Sequence, residues 1–206
     1  NLFKASVTGG GDGTAPITFS FTPGSNLVLT FSSVTGLTNC CGLGGTPSGG
    51  PDGANLTGSG LTDVSSSGGI AGARAFGQMF LAGVFIDSTN PPSGVAPDRL
   101  DYTSGTIQVD AASVAPLLNQ SFFIGDGLTG TGSGSTQQFF VPDGADTLVL
   151  GFLDAIAFVG VPDFYGDNPG SLNATFSVAP VPLPGALALM VPALAGLGLA
   201  RRRRTV

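Results

Sequence analysis

Residues 170–178 read Gly170-Ser171-Leu172-Asn173-Ala174-Thr175-Phe176-Ser177-Val178. Apolar Leu172, Ala174, Phe176 and Val178 alternate with small polar residues. That period of two puts one set on a buried face and the other in solvent, so the stretch predicts a strand. Upstream, Thr147-Leu148-Val149-Leu150-Gly151-Phe152 and Gln137-Gln138-Phe139-Phe140-Val141 predict two more strands, with Pro142–Asp146 as the turn between them. Residues 79–86 and 117–124 supply further apolar runs. Near the start, Ile17, Phe19 and Phe21 alternate, Pro23–Asn26 is a turn, and Leu27–Phe31 follows. That pair predicts a hairpin.

Composition agrees with these runs. Gly, Ser and Thr abound, and the thirteen acidic residues are all Asp. Glu and Lys, the usual fillers of exposed helix positions, are nearly absent. Asp and Gly together belong to turns, because Asp bonds its own backbone and Gly accepts positive φ. Seven or more strands with no helix before residue 180 predict an all-β fold, a jelly-roll-like β-sandwich over residues 1–178. Residues 36–72 and 125–134 are rich in Gly, Ser and Thr and predict loops.

Charge is unevenly placed. Arg201, Arg202, Arg203 and Arg204 hold four of the seven basic residues. Ahead of them Lys4, Arg74 and Arg99 face thirteen Asp, so the body stands at −10. Such a body repels phosphate backbones, which excludes nucleic acid as a partner. Cations and neutral molecules fit it better.

Cys40 and Cys41 are the only cysteines. Adjacent Cα atoms lie about 3.8 Å apart, short of the roughly 4.4–6.8 Å of an ordinary bridge. A strained vicinal disulfide, two thiols and an intermolecular link all stay open. The start, Asn1-Leu2-Phe3-Lys4, lacks the basic and apolar regions of a leader, and a leader removed upstream is the expectation.

Residues 179–206 form a second unit. Val181-Pro182-Leu183-Pro184 opens an uncharged run of twenty residues to Ala200, and Arg201–Arg204 follow. About 20 apolar residues suffice to cross a bilayer as a helix. The Arg cluster places that end in the cytoplasm and the body outside. The order of Pro-rich box, apolar span and Arg cluster resembles the PEP-CTERM sorting tail of bacteria that secrete exopolysaccharide. Leu183 stands where that signal carries Glu. The resemblance implies recognition by an exosortase-type processing enzyme, transient anchoring in the inner membrane, and release to the cell surface or extracellular matrix.

One internal stretch concentrates oxygen ligands. Asp154 is followed by Gly160-Val161-Pro162-Asp163-Phe164-Tyr165-Gly166-Asp167-Asn168-Pro169-Gly170-Ser171. Side-chain oxygens with the carbonyls of a Gly/Pro-rich loop suit calcium, which takes about 6–8 oxygens in loose geometry. The same residues also make an ordinary solvated turn. This loop, with Phe123-Ile124-Gly125-Asp126 and Gln138–Ala145, resembles the PA-I type galactose-binding bacterial lectins, a calcium-dependent β-sandwich family. The resemblance is strong over residues 115–178 and elsewhere follows strand order only. It implies a Ca2+ held by Asp154, the carbonyl of Phe164, Asp167 and Asn168, with a further carbonyl near Thr38. Asp154 and Asp167 then adjoin the sugar. The chain has a longer spacer after Asp154 than the family, and no His for the family's sugar contact.

Catalysis is not expected. His is absent, the Ser and Thr hydroxyls have no base partner, and the Gly-rich segments lack the Lys and the strand–helix setting of a phosphate loop. The expected function is calcium-dependent, lectin-like binding of extracellular polysaccharide. The alternative is a structural matrix or filament subunit, a homo-oligomer with no small ligand.

Overall fold

The computed structural model describes residues 13–40, 46–54 and 60–181. Its strands are β1 (Ile17–Ser20), β2 (Leu27–Thr38), β3 (Leu61–Val64), β4 (Ala73–Phe76), β5 (Ala82–Ile86), β6 (Leu100–Asp101), β7 (Ser113–Val114), β8 (Phe122–Phe123), β9 (Leu128–Gly130), β10 (Ser133–Thr136), β11 (Gln138–Phe140), β12 (Thr147–Gly151), β13 (Val159–Gly160) and β14 (Gly170–Pro180). Among the described residues the only helical elements are two 3₁₀ turns, Ile156–Phe158 and Tyr165–Asp167. The chain is all-β.

Three four-stranded sheets form, in the orders β14-β2-β11-β7, β1-β12-β5-β8 and β13-β3-β4-β6, with β9 and β10 as a separate ribbon. The second sheet is central, and the runs of its inner strands show why. Leu148 and Leu150 of β12 and Phe85 of β5 pack with Leu29 and Phe31 of β2 and Phe139 of β11. Val149 of β12 and Ala82 and Val84 of β5 pack with Val64 of β3 and Ala73 and Ala75 of β4. A strand covered on both faces is apolar along most of its length, and Leu148–Leu150 and Ala82–Phe85 are buried throughout. The outer strand β14 alternates instead, with its even-numbered residues Leu172 to Val178 against the core.

Rings fill the space between the first two sheets. Phe85 stacks on Phe122 at 5.1 Å, and Phe122 meets Phe139 at 5.3 Å. On the other side of the central sheet Phe80 lies 4.7 Å from Phe123. Aromatic contacts of this kind contribute about 0.5–1.5 kcal/mol beyond area burial.

Two expectations are corrected. Residues 17–20 and 27–31 are no hairpin: β1 pairs with β12, whereas β2 pairs with β14 and β11. Pro23–Asn26 carries the chain from one sheet to the next. The core takes apolar faces from both sheets, so the two alternating runs face each other across it. The loop expected at 36–72 contains the end of β2 and all of β3, and the one expected at 125–134 contains β9 and most of the ribbon.

The tail from Pro182 onward, with its expected helix and Arg201–Arg204, lies outside the described residues, as does Cys41. No helix among the described residues is long and apolar enough to cross a membrane. Val181, the first residue of the Pro-rich box, donates its N–H to the Asn26 carbonyl at 2.8 Å. The box therefore begins where β14 leaves the sheet.

Candidate metal centre

Strand β12 ends at Gly151, and Leu153 and Asp154 turn inward behind it. Asp154 is 3% exposed. A buried carboxylate needs partners, and the loop supplies some. Its Oδ1 accepts the N–H of Ala155 at 2.7 Å. Its Oδ2 accepts a hydrogen bond from Asn168 Nδ2. The backbone of Asp154 is held as well: its N–H points to the Tyr165 hydroxyl at 3.4 Å, and its carbonyl accepts the N–H of Asp163 at 3.1 Å.

The Asp163 bond closes a detour. The spacer between Asp154 and the loop makes the 3₁₀ turn Ile156–Phe158 and then β13, which pairs with β3 as the edge of the third sheet. Ala157 and Phe158 both have positive φ, 50° and 60°. Such conformations cost non-glycine residues about 1–3 kcal/mol. The spacer thus adds a strand to the fold while returning the chain to Asp154.

Phe164 also has positive φ, 67°, and opens the turn Tyr165–Asp167. Tyr165 is buried beneath that turn. Its role as the floor of the loop was missed in the sequence, although an aromatic residue inside a Gly/Asp-rich loop is a signal for it. Asn39 donates its N–H to the Pro169 carbonyl at 3.0 Å, which ties the end of β2 to this loop.

The electrostatics are one-sided. Burial pushes the Asp154 carboxyl up to about 7; the bonds from Asn168 and Ala155 oppose that shift, and the charges of Asp167 and Asp163 reinforce it. Of the described bases, Arg74 lies 3.1 Å from Asp63 and 3.3 Å from Asp101, and Arg99 lies 2.5 Å from Asp63. Both are thus engaged on other carboxylates. Asn168 Oδ1 is buried with no hydrogen-bond partner, an arrangement that costs about 1–3 kcal/mol.

The structure therefore gathers Asp154, Asn168 and the charge of Asp167 around the turn that begins at Phe164. The Thr38 carbonyl accepts the N–H groups of Ser48, at 3.0 Å, and Gly49, at 2.8 Å, and Asn39, just past the end of β2, is bonded to the loop. Among the described residues no three His, Cys, Asp or Glu side chains form a metal-holding group. A site here would rest on two carboxylates at most, with amide and backbone oxygens completing it. That donor set is all oxygen and includes one orphaned buried acceptor, which fits a hard cation.

No family model, curated protein or solved structure matches this chain.

Proposed function

We propose that this chain is an exported, calcium-dependent, lectin-like protein that binds extracellular polysaccharide and is not an enzyme. The observation that carries the reading is Asn168. Its Nδ2 faces the buried carboxyl of Asp154 while its Oδ1 has no partner. A half-turn of the amide would set Oδ1 and Oδ2 side by side, an arrangement only a cation or a proton stabilises. Asp154, Asp167, Asn168 and the Phe164 carbonyl would hold the ion. Bound calcium would supply positive charge for sugar hydroxyl oxygens. Asp154 and Asp167 would accept hydrogen bonds from those hydroxyls.

Within this reading, the sheets β14-β2-β11-β7 and β1-β12-β5-β8 form the jelly-roll-like sandwich, and the third sheet is an addition. The tail acts as a PEP-CTERM-type signal, with a membrane-spanning helix and an exosortase-type enzyme as its reader. The protein then reaches the cell surface or matrix. The second reading, a structural subunit, has one observation in its favour, the open edge of β14.

Calcium titrated calorimetrically into the chelator-treated full chain tests the first reading. Saturable heat is expected, with loss in Asn168→Ala and at least tenfold weakening in Asp167→Ala. Calcium at 100 times Kd should stabilise the fold by about 2.7 kcal/mol. No saturable heat in the unmodified chain sinks the site and the lectin reading with it. Where calcium binds, a glycan array identifies the sugar.

A further inference from the structure

β14 is the outermost strand of its sheet. It pairs with β2 along all eleven residues, and no strand among the described residues pairs with its other edge. A long open edge invites another strand, and proteins usually guard one with charge, proline, a bulge or shortness. β14 has little of this. Gly170–Ala179 contains no charge, and proline comes only at its last position, Pro180. The one irregularity in the pair falls on β2: Thr175 faces Ser33 and Phe176 faces Phe31, so Ser32 is the extra residue. Its hydroxyl donates to the Thr175 carbonyl at 3.2 Å. β14 itself runs without a bulge.

Beside that edge lies a groove of about 290 Å³, between β14 and β1, the outermost strand of the central sheet. Phe19 and Phe176 meet across it edge to face at 4.8 Å. Ile17 is 61% exposed and Phe19 41%. No Asp, Lys or Arg lines the groove, although the body around it stands at −10.

We infer that β14 is a self-association edge, on which β14 of a second copy docks antiparallel and closes the groove. The chemistry selects this occupant. Two bodies so acidic repel each other on most approaches, and here they meet along an uncharged strand flanked by an uncharged groove. The edge of an antiparallel strand is also its own complement under a two-fold axis. Pairing would join two four-stranded sheets into one of eight and shield Ile17 and Phe19. The inference rests on the structural-subunit reading and does not require calcium. In a dimer whose loops bind calcium, the paired strands, about 37 Å long, place the two Asp163–Asn168 loops toward opposite ends. That makes a bivalent binder of one chain.

The test measures the mass of the full 206-residue chain, in detergent that shields its tail, by sedimentation over rising concentration in chelator. A dimer is expected, weakened at least tenfold by Asn173→Asp with Thr175→Asp, which set like charges against each other across the pair. The same charges at Thr106 and Gln108 should leave it intact. Hydrogen exchange on the unmodified chain is the second measurement, and protection of 170–180 should rise with concentration. A dimer equally strong in both variants is held elsewhere; it overturns the inference and leaves the subunit reading standing. A monomer at every concentration overturns both. Among the 170–180 amides that point away from β2, protection that ignores concentration means that another segment of the same chain covers the edge, and it also overturns the inference.

Discussion

Asn168 donates a hydrogen bond to the buried carboxyl of Asp154, and the same amide leaves its own oxygen buried and unpartnered. One side chain thus relieves one buried group and strands another. Among the described residues the charges that act on Asp154 are negative, those of Asp167 and Asp163. Burial raises the Asp154 carboxyl above its ordinary value, against the hydrogen bonds it accepts from Asn168 and Ala155.

The pH dependence follows from that shift. The Asp154 carboxyl stands at about 7 in the fold against 3.8 as its ordinary value. A raised folded value means the stabilisation is fully present below about 3.8 and lost as pH rises through about 7. In chelator, the Tm should therefore fall between pH 4 and pH 8. Calcium should reverse the fall most strongly at the alkaline end. Asp154→Asn should flatten the profile. Asp87, Asp101 and Asp146 are held below the ordinary value by Thr and Ser hydrogen bonds, so their contribution is lost only in more acid solution. A Tm independent of pH from 5 to 8 would contradict the burial of Asp154.

Where the loop joins β14, Gly170 has φ +105°, and a Cβ there would collide with the Leu37 carbonyl oxygen and lie 2.8 Å from Thr38 Cα. Both neighbours are backbone and cannot step aside cheaply. Gly170→Ala should cost about 1–3 kcal/mol and weaken calcium binding, since Gly170 follows the loop directly. Gly50, where an added methyl would meet nothing within 4 Å, is the control and should tolerate Ala with little change in a thermal melt.

Asp63 serves two guanidinium groups, Arg74 at 3.1 Å and Arg99 at 2.5 Å. Its side chain is 24% exposed, so the pairs are only partly screened. Asp63→Ala should destabilise by about 1–2 kcal/mol, above the usual 0–1 of a surface pair, and the loss should shrink in 1 M salt. Denaturant unfolding at low and high salt measures both. A variant as stable as the parent at low salt would show that Asp101 alone suffices for Arg74.

Part of this was legible in the chain and part was not. The apolar run at 148–150 and the alternation at 170–178 signal strands directly, because burial on two faces and on one face leave different patterns. Leu61–Val64 gives no such signal. It is four residues long and its neighbours are small and polar. At the site, spacing offered Asp154, Asp163, Asp167 and Asn168 as oxygen ligands in one stretch, and the same residues also suited an ordinary turn. It carried no sign that Asn168 would bond Asp154, that Tyr165 would lie beneath the turn, or that the Thr38 carbonyl would be taken by Ser48 and Gly49.

The sequence by itself determined the class of structure, all strand and turn, and the chemistry on offer: oxygen ligands, no imidazole, and an acidic body. Those properties are local, set by side-chain type and by periodicity along a few residues. Only the tertiary structure decided the partners. β1 joins β12 rather than β2, the spacer after Asp154 becomes an edge strand, and no strand among the described residues pairs with the second side of β14. Pairing depends on which apolar faces must meet across a shared core, and residues far apart in the chain settle that together.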